Sequence, residues 1–180
     1  MTIVKGPDGR SADVDERNRL STFSTSQSLS RDSNKEGCSF SIFFSVTPAG
    51  VNDLFFYLKN NGDLDVSLTS IRASSSVPTT LFYEHVSGSP SFVAEADAAV
   101  TSLNLGSALQ LSVDAIFDSD ITGLTTVGVM FFEECSIADT TFALKIPSNI
   151  IIQQGQAMAF RRESGSGTLT MSVSVMRADT

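Results

Sequence analysis

The stretch Leu54-Phe55-Phe56-Tyr57-Leu58-Lys59-Asn60-Asn61-Gly62-Asp63-Leu64-Asp65-Val66-Ser67-Leu68-Thr69-Ser70-Ile71 decides how the chain is read. Two apolar runs flank a cluster of turn residues, the pattern of a β-hairpin. A two-residue turn at Asn61-Gly62 would set Leu58 opposite Asp65 and Lys59 opposite Leu64, leaving apolar residues on both faces. A three-residue loop, Asn60-Asn61-Gly62, pairs Leu58 with Leu64, Phe56 with Val66 and Leu54 with Leu68. It also places Gly62 at the left-handed position such loops require. The three-residue loop is preferred, although a five-residue loop keeps the same pairing. Either way one face is apolar, so the remaining chain must supply a second layer.

The texture stays β from Phe40 onward. Residues 40–46 read as a strand ended by Pro48 and Gly50, and residues 79–86 as one running into a Gly88/Pro90 turn. The alanines at 94, 96, 98 and 99 leave residues 91–100 open to a short helix. Residues 103–107 read as a loop entering a strand at 109–117. A separate strand follows Gly123 at 127–133, with Val127, Val129 and Phe131 expected inward. Residues 140–146 alternate again. Ile150-Ile151-Ile152 is too short to assign, and residues 153–156 form a turn. Met158 and Phe160 point to the core. The hairpin turn 163–167 then leads into the clearest alternation, Leu169, Met171, Val173 and Val175 against Thr168, Thr170, Ser172 and Ser174. Short, evenly spaced strands without a repeated helical pattern predict an all-β sandwich, jelly-roll or Greek-key.

The chain divides by composition. Residues 1–36 carry few bulky apolar side chains, are serine-rich over 21–33, and hold six basic and six acidic residues. Such a segment cannot offset its ordering entropy alone. It is either a disordered tail or an extended N-terminal arm that orders against a partner, with residues 13–20 open to one helical turn. The expected domain is then 37–180, which holds the whole net charge of −8. That acidity disfavours nucleic acid and anionic membrane surfaces, both of which require neutralising Lys and Arg. No apolar run has membrane-spanning length, and no signal-peptide pattern opens the chain. Two cysteines, Cys38 and Cys135, make no disulfide framework, so a reducing cytoplasm is the default compartment for folding.

Residues suited to catalysis are sparse. His85 is the single histidine, and a strand position beside Glu84 supplies no triad geometry. Zinc would need closely spaced His and Cys ligands, which Cys38, His85 and Cys135 do not provide. Asp114, Asp118 and Asp120 could offer oxygens to calcium, but without a full twelve-residue loop a solvated turn is the better reading. Glu133 and Glu134 are adjacent in a strand and face opposite sides. Gly165-Ser166-Gly167 lacks a phosphate-loop lysine, and Arg161-Arg162 reads as a solvent-facing strand end. No enzyme activity, cofactor or metal is expected.

Gly6-Pro7-Asp8-Gly9, Ala12, Val14-Asp15 and Asn18-Arg19-Leu20 resemble the start of a family of small tailed-phage virion structural proteins. Residues 57–61, 104–107, 150–156 and 168–177 extend the similarity over most of the chain, while residues 37–49 depart from it. The resemblance implies a bacteriophage virion component assembled in the host cytoplasm, in first place a capsid-surface decoration or cement protein. Its partners would be the major capsid protein or other virion proteins, and its own copies in a closed homotrimer. Val4, Val14, Arg17, Arg19, Leu20 and Phe23 of the arm would make the contact, and some of the 13 Phe would face other subunits. The alternative is a receptor- or glycan-binding module of a tail, fibre or collar.

Overall fold

A computed structural model describes residues 38–135, 141–144 and 150–178, together with the backbone of three short strands near the N-terminus. The chain separates into two compact units, Met1–Asp32 and Ser33–Thr180. In the first, β1 (Thr2–Lys5), β2 (Ser11–Val14) and β3 (Leu20–Ser21) form an antiparallel meander with Val4 opposite Ala12 and Val14 opposite Leu20. Asp13, Val14 and Leu20 are therefore in strands, not in a helical turn.

The second unit is an all-β sandwich. One sheet has the order β11 (Thr141–Leu144), β6 (Asp65–Ser75), β14 (Leu169–Ala178), β4 (Ser39–Val46), β9 (Ala99–Ser102), and β12 (Ile150–Ile152) extends β11's place along β6. The other has the order β5 (Leu54–Asn60), β13 (Ala157–Arg162), β7 (Thr79–Phe92), β10 (Val113–Cys135), β8 (Ala96–Asp97). With β8 and β9 set aside as an insertion, the first sheet runs first-eighth-third-sixth and the second runs second-seventh-fourth-fifth. That is a jelly roll. No helix occurs among the described residues, and residues 91–100, open to a short helix by sequence, hold β8 and β9.

The core lies between the sheets. Ile42, Phe44, Leu68, Ile71, Met171 and Val173 of one sheet meet Phe56, Leu58, Leu81, Tyr83, Met158 and Phe160 of the other. Phe44 stacks on Phe56 with centroids 4.3 Å apart, and Phe160 joins Phe56 to Tyr83 at 4.8 and 4.7 Å. Each such ring taken out of water contributes about 2–3 kcal/mol.

The expected hairpin at 54–71 does not form. β5 and β6 lie in opposite sheets, joined by an arch over the end of the core. Phe56 and Leu58 do face Val66 and Leu68, but across the sandwich instead of along a ladder. The reason is a second apolar face on β5. Tyr57 is buried against Val86, Ile121, Ala157 and Ala159, with Leu54, Phe92 and Leu124 packed beside them. A strand buried on both faces needs neighbours on both edges, and β13 and β10 supply them. Asn60 replaces the turn's ladder: its buried amide donates to the carbonyls of Leu64 and Ile152 at 2.8 and 2.9 Å, and its Oδ1 accepts from the Gly62 amide. The turn at 163–167 is likewise an arch, from β13 to β14.

β10 is one long strand, not the two separate strands expected on either side of Gly123. Its first part pairs with β5 and its second with β7, and Ile121 is partner to both Leu54 and Phe92. The sheet thus curls until it closes on itself around the second small core. β7 continues through Gly88 and Pro90, where a turn was expected. Gly88 and Gly123 sit together at a bulge with φ of 104° and 76°, and a Cβ on Gly123 would stand 2.6 Å from the Ser89 carbonyl oxygen. Only glycine fits that crossing. Val127 and Val129, expected inward, are exposed, while Phe131 packs on Tyr83 at 4.3 Å.

Candidate functional site

The arm residues proposed to bind a partner divide into two sets. Val4, Val14 and Leu20 fall in β1, β2 and β3, whereas Arg17, Arg19 and Phe23 lie outside the described residues. Cys38 is buried, and its carbonyl accepts from the Arg177 amide at 2.8 Å.

Two places in the sandwich gather polar side chains. The first is a cavity of about 440 Å³ where β12 turns into β13, lined by Asp65, His85, Met130, Ile150–Ile152, Gln156 and Met158 among others. β7 brings His85 here because it pairs directly with Met158 of β13. Its Nε2 lies 2.8 Å from Oε1 of Gln156, which orients the ring across the opening. The walls are apolar and the mouth carries an amide, an imidazole and a carboxylate. That combination suits a small ligand with one apolar and one hydrogen-bonding part.

The second place is the outer face of the curled sheet. Glu84 is buried and accepts from Arg161 Nε at 2.7 Å and from the Thr126 hydroxyl at 2.6 Å. Arg161 also donates to Asn52 and Glu163, and its guanidinium lies 4.7 Å over the Phe82 ring, which stacks on Phe132. Burial would lower the Arg161 pKa, but the hydrogen bonds and charges of Glu84 and Glu163 outweigh it and raise the value.

Arg162, expected at a solvent-facing strand end, is instead buried. It donates to the carbonyls of Pro48 at 2.9 Å and Gly50 at 2.8 Å, and reaches Gly167. Burial lowers its pKa, and Asp53 partly restores it. The side chain ties two connecting loops across the sandwich end.

Asp118 is also structural, and it lies within β10 instead of a solvated turn. Burial would raise its carboxyl pKa, but amide hydrogen bonds from Ala94, Ser119 and Val93 bring it below the ordinary value. Asp120 is shifted upward by burial and by the charges of Asp53 and Asp118. No cluster of three or more His, Cys, Asp or Glu suited to a metal forms among the described residues. Tyr83 is the remaining buried polar group of note. Burial, reinforced by Glu133, holds its pKa well above the usual range, and its hydroxyl has no hydrogen-bond partner among the described residues.

Sequence reasoning missed Glu84, Asn60 and Arg162. A charged residue inside a largely apolar strand was the available signal for Glu84, since an unpaired buried charge is too costly to persist. No family model matches the chain, and no curated protein or solved structure matches it either. No helix among the described residues is long and apolar enough to cross a membrane.

Proposed function

We propose that this chain is a non-enzymatic structural component of a bacteriophage virion, a capsid-surface decoration or cement protein that attaches through its N-terminal unit and is present in repeated copies. The observation that carries the reading is the partition of the molecule. A small N-terminal unit of balanced charge is separate from an acidic jelly roll whose buried charged and polar groups are spent on fixing its own loops. Jelly rolls recur in viral capsid domains, which makes the fold compatible with this role. The sequence resemblance of residues 4–20 points the same way.

Removing residues 1–36 tests the proposal. The expected result is a jelly roll that retains its β-sheet circular dichroism and cooperative melting but no longer co-sediments with particles. Retained particle binding by the shortened chain would overturn attachment through the N-terminal unit. The second reading, a receptor- or glycan-binding module, is favoured by the cavity at His85 and Gln156. It predicts that cell or glycan binding survives the truncation and is lost on Gln156→Ala.

A further inference from the structure

The second half of β10 pairs with β7 along one edge, and its other edge has no strand partner among the described residues. Residues 121–132 contain no Asp, Glu, Lys, Arg or Pro, in a chain of net charge −8. Within residues 121–132, therefore, neither charge nor proline protects the edge, and the nearest charges on it are Glu133 and Glu134. Val127, Val129 and Phe132 are 58%, 49% and 64% exposed. Bulges on either side of Gly128 and Val129 break the regularity of the ladder and turn successive side chains outward. Met130 carries the apolar strip to the cavity, which the exposed Ile151 also lines.

We infer that this strip is the contact between two copies of the chain, packed antiparallel about a two-fold axis near Val129. Charge selects the occupant. A basic partner would be drawn to the acidic faces, whereas a second copy, equally acidic, approaches at least cost where neither surface is charged. Charge also selects the direction. A parallel arrangement would set Glu133 and Glu134 against their own copies. The antiparallel one separates them and sets Glu133 beside Thr125 of the other copy, whose hydroxyl can donate. Because the bulges disfavour a continuous shared ladder, burial of Val127, Val129, Met130 and Phe132 drives the contact. A two-fold interface presents the same patch twice, so every residue in it counts double. The inference rests on the proposed function only for its expectation of repeated copies.

Sedimentation velocity on the full chain tests this without any particle, so failure here leaves the truncation test standing. The unmodified protein is expected to be a dimer or an even multiple. Val129→Lys, which places two lysines together at the axis, should weaken association about a hundredfold or more. Leu105→Lys, at an exposed loop position, should leave it unchanged, and both variants should melt as the parent does. A monomer at all concentrations, a strict trimer, or equal association of the two variants would overturn the inference. Should Val129→Lys fail to fold, hydrogen exchange on the unmodified chain decides. Protection across residues 124–132 that rises with protein concentration supports the contact, and protection independent of concentration refutes it.

Discussion

The two sheets of the jelly roll solve burial differently. The sheet built on β6, β14 and β4 has one wet face. Along β14 Leu169, Met171, Val173 and Val175 are buried, while Thr170, Ser172 and Ser174 turn outward. Those outward hydroxyls pair across strands, Ser41 with Ser172, Ser45 with Thr170 and Thr47 with Thr168. The curled sheet built on β5, β13 and β7 is dry on both faces over much of its length, and Ala157 to Phe160 are buried in succession. Where a sheet loses its solvent face, a polar group left without partners is costly. Glu84, Arg162, Asn60 and Asp118 all belong to the curled sheet, and each is held by hydrogen bonds. Polar residues decorate one sheet and brace the other.

Substitutions should expose that contrast. The largest loss is expected for Arg162→Ala, which removes the donors to Pro48 and Gly50 and opens a void at the sandwich end. About 3–5 kcal/mol of unfolding free energy should disappear in urea denaturation. A loss below about 1 kcal/mol would mean that water replaces the guanidinium easily, and the braced character of the curled sheet would fail with it.

Asp118→Asn comes next. It keeps the shape but not the charge that three amides address, and should cost about 1–2 kcal/mol at pH 7. The sign of its pH dependence follows from the direction of the shift. The folded carboxyl titrates below the ordinary value. Its contribution is therefore present above the unfolded pKa of about 3.9 and is lost as pH falls through the lower folded value. The gap in melting temperature between parent and variant should narrow on acidification below about pH 4, and a gap independent of pH would contradict the assignment.

The smallest effect belongs to the wet face. Ser172→Ala removes one hydroxyl pair in partial contact with solvent and should change stability by less than about 0.5 kcal/mol in the same urea experiment. A cost comparable to that of Asp118→Asn would erase the distinction between the sheets.

The wet sheet was legible in the amino-acid order because its alternation is strict. Residues 40–46 and 168–176 read as strands, the second with the right face inward, and the sandwich followed. The dry sheet hid its connectivity. An apolar run such as Leu54-Phe55-Phe56-Tyr57-Leu58 marks a strand covered on both sides, yet the turn residues after it invited a hairpin. A hairpin and an arch both bring Phe56 and Val66 to the same core, so parity cannot separate them. The unbroken run was the signal that could have. Gly123 reads as a break between strands because a lone glycine marks either a turn or a bulge, and which one depends on what crosses it. Here that is the Ser89 carbonyl. Arg162 reads as exposed from sequence, since nothing local shows that Pro48 and Gly50, distant in the chain, offer it their carbonyls.

The placement of β13 and β14 carries a consequence for synthesis. These last two strands occupy interior positions, β13 between β5 and β7 and β14 between β6 and β4. While the ribosome is still making residues 1–150, both sheets have an empty slot at their centres, and each of the two strands flanking that slot lacks a partner on one edge. Folding of the jelly roll must therefore wait for the C-terminal residues to emerge, and its non-local pairings make the final step slow. A nascent or C-terminally shortened chain would present two apolar gaps at once, a state that depends on chaperones or rapid completion to stay out of aggregates.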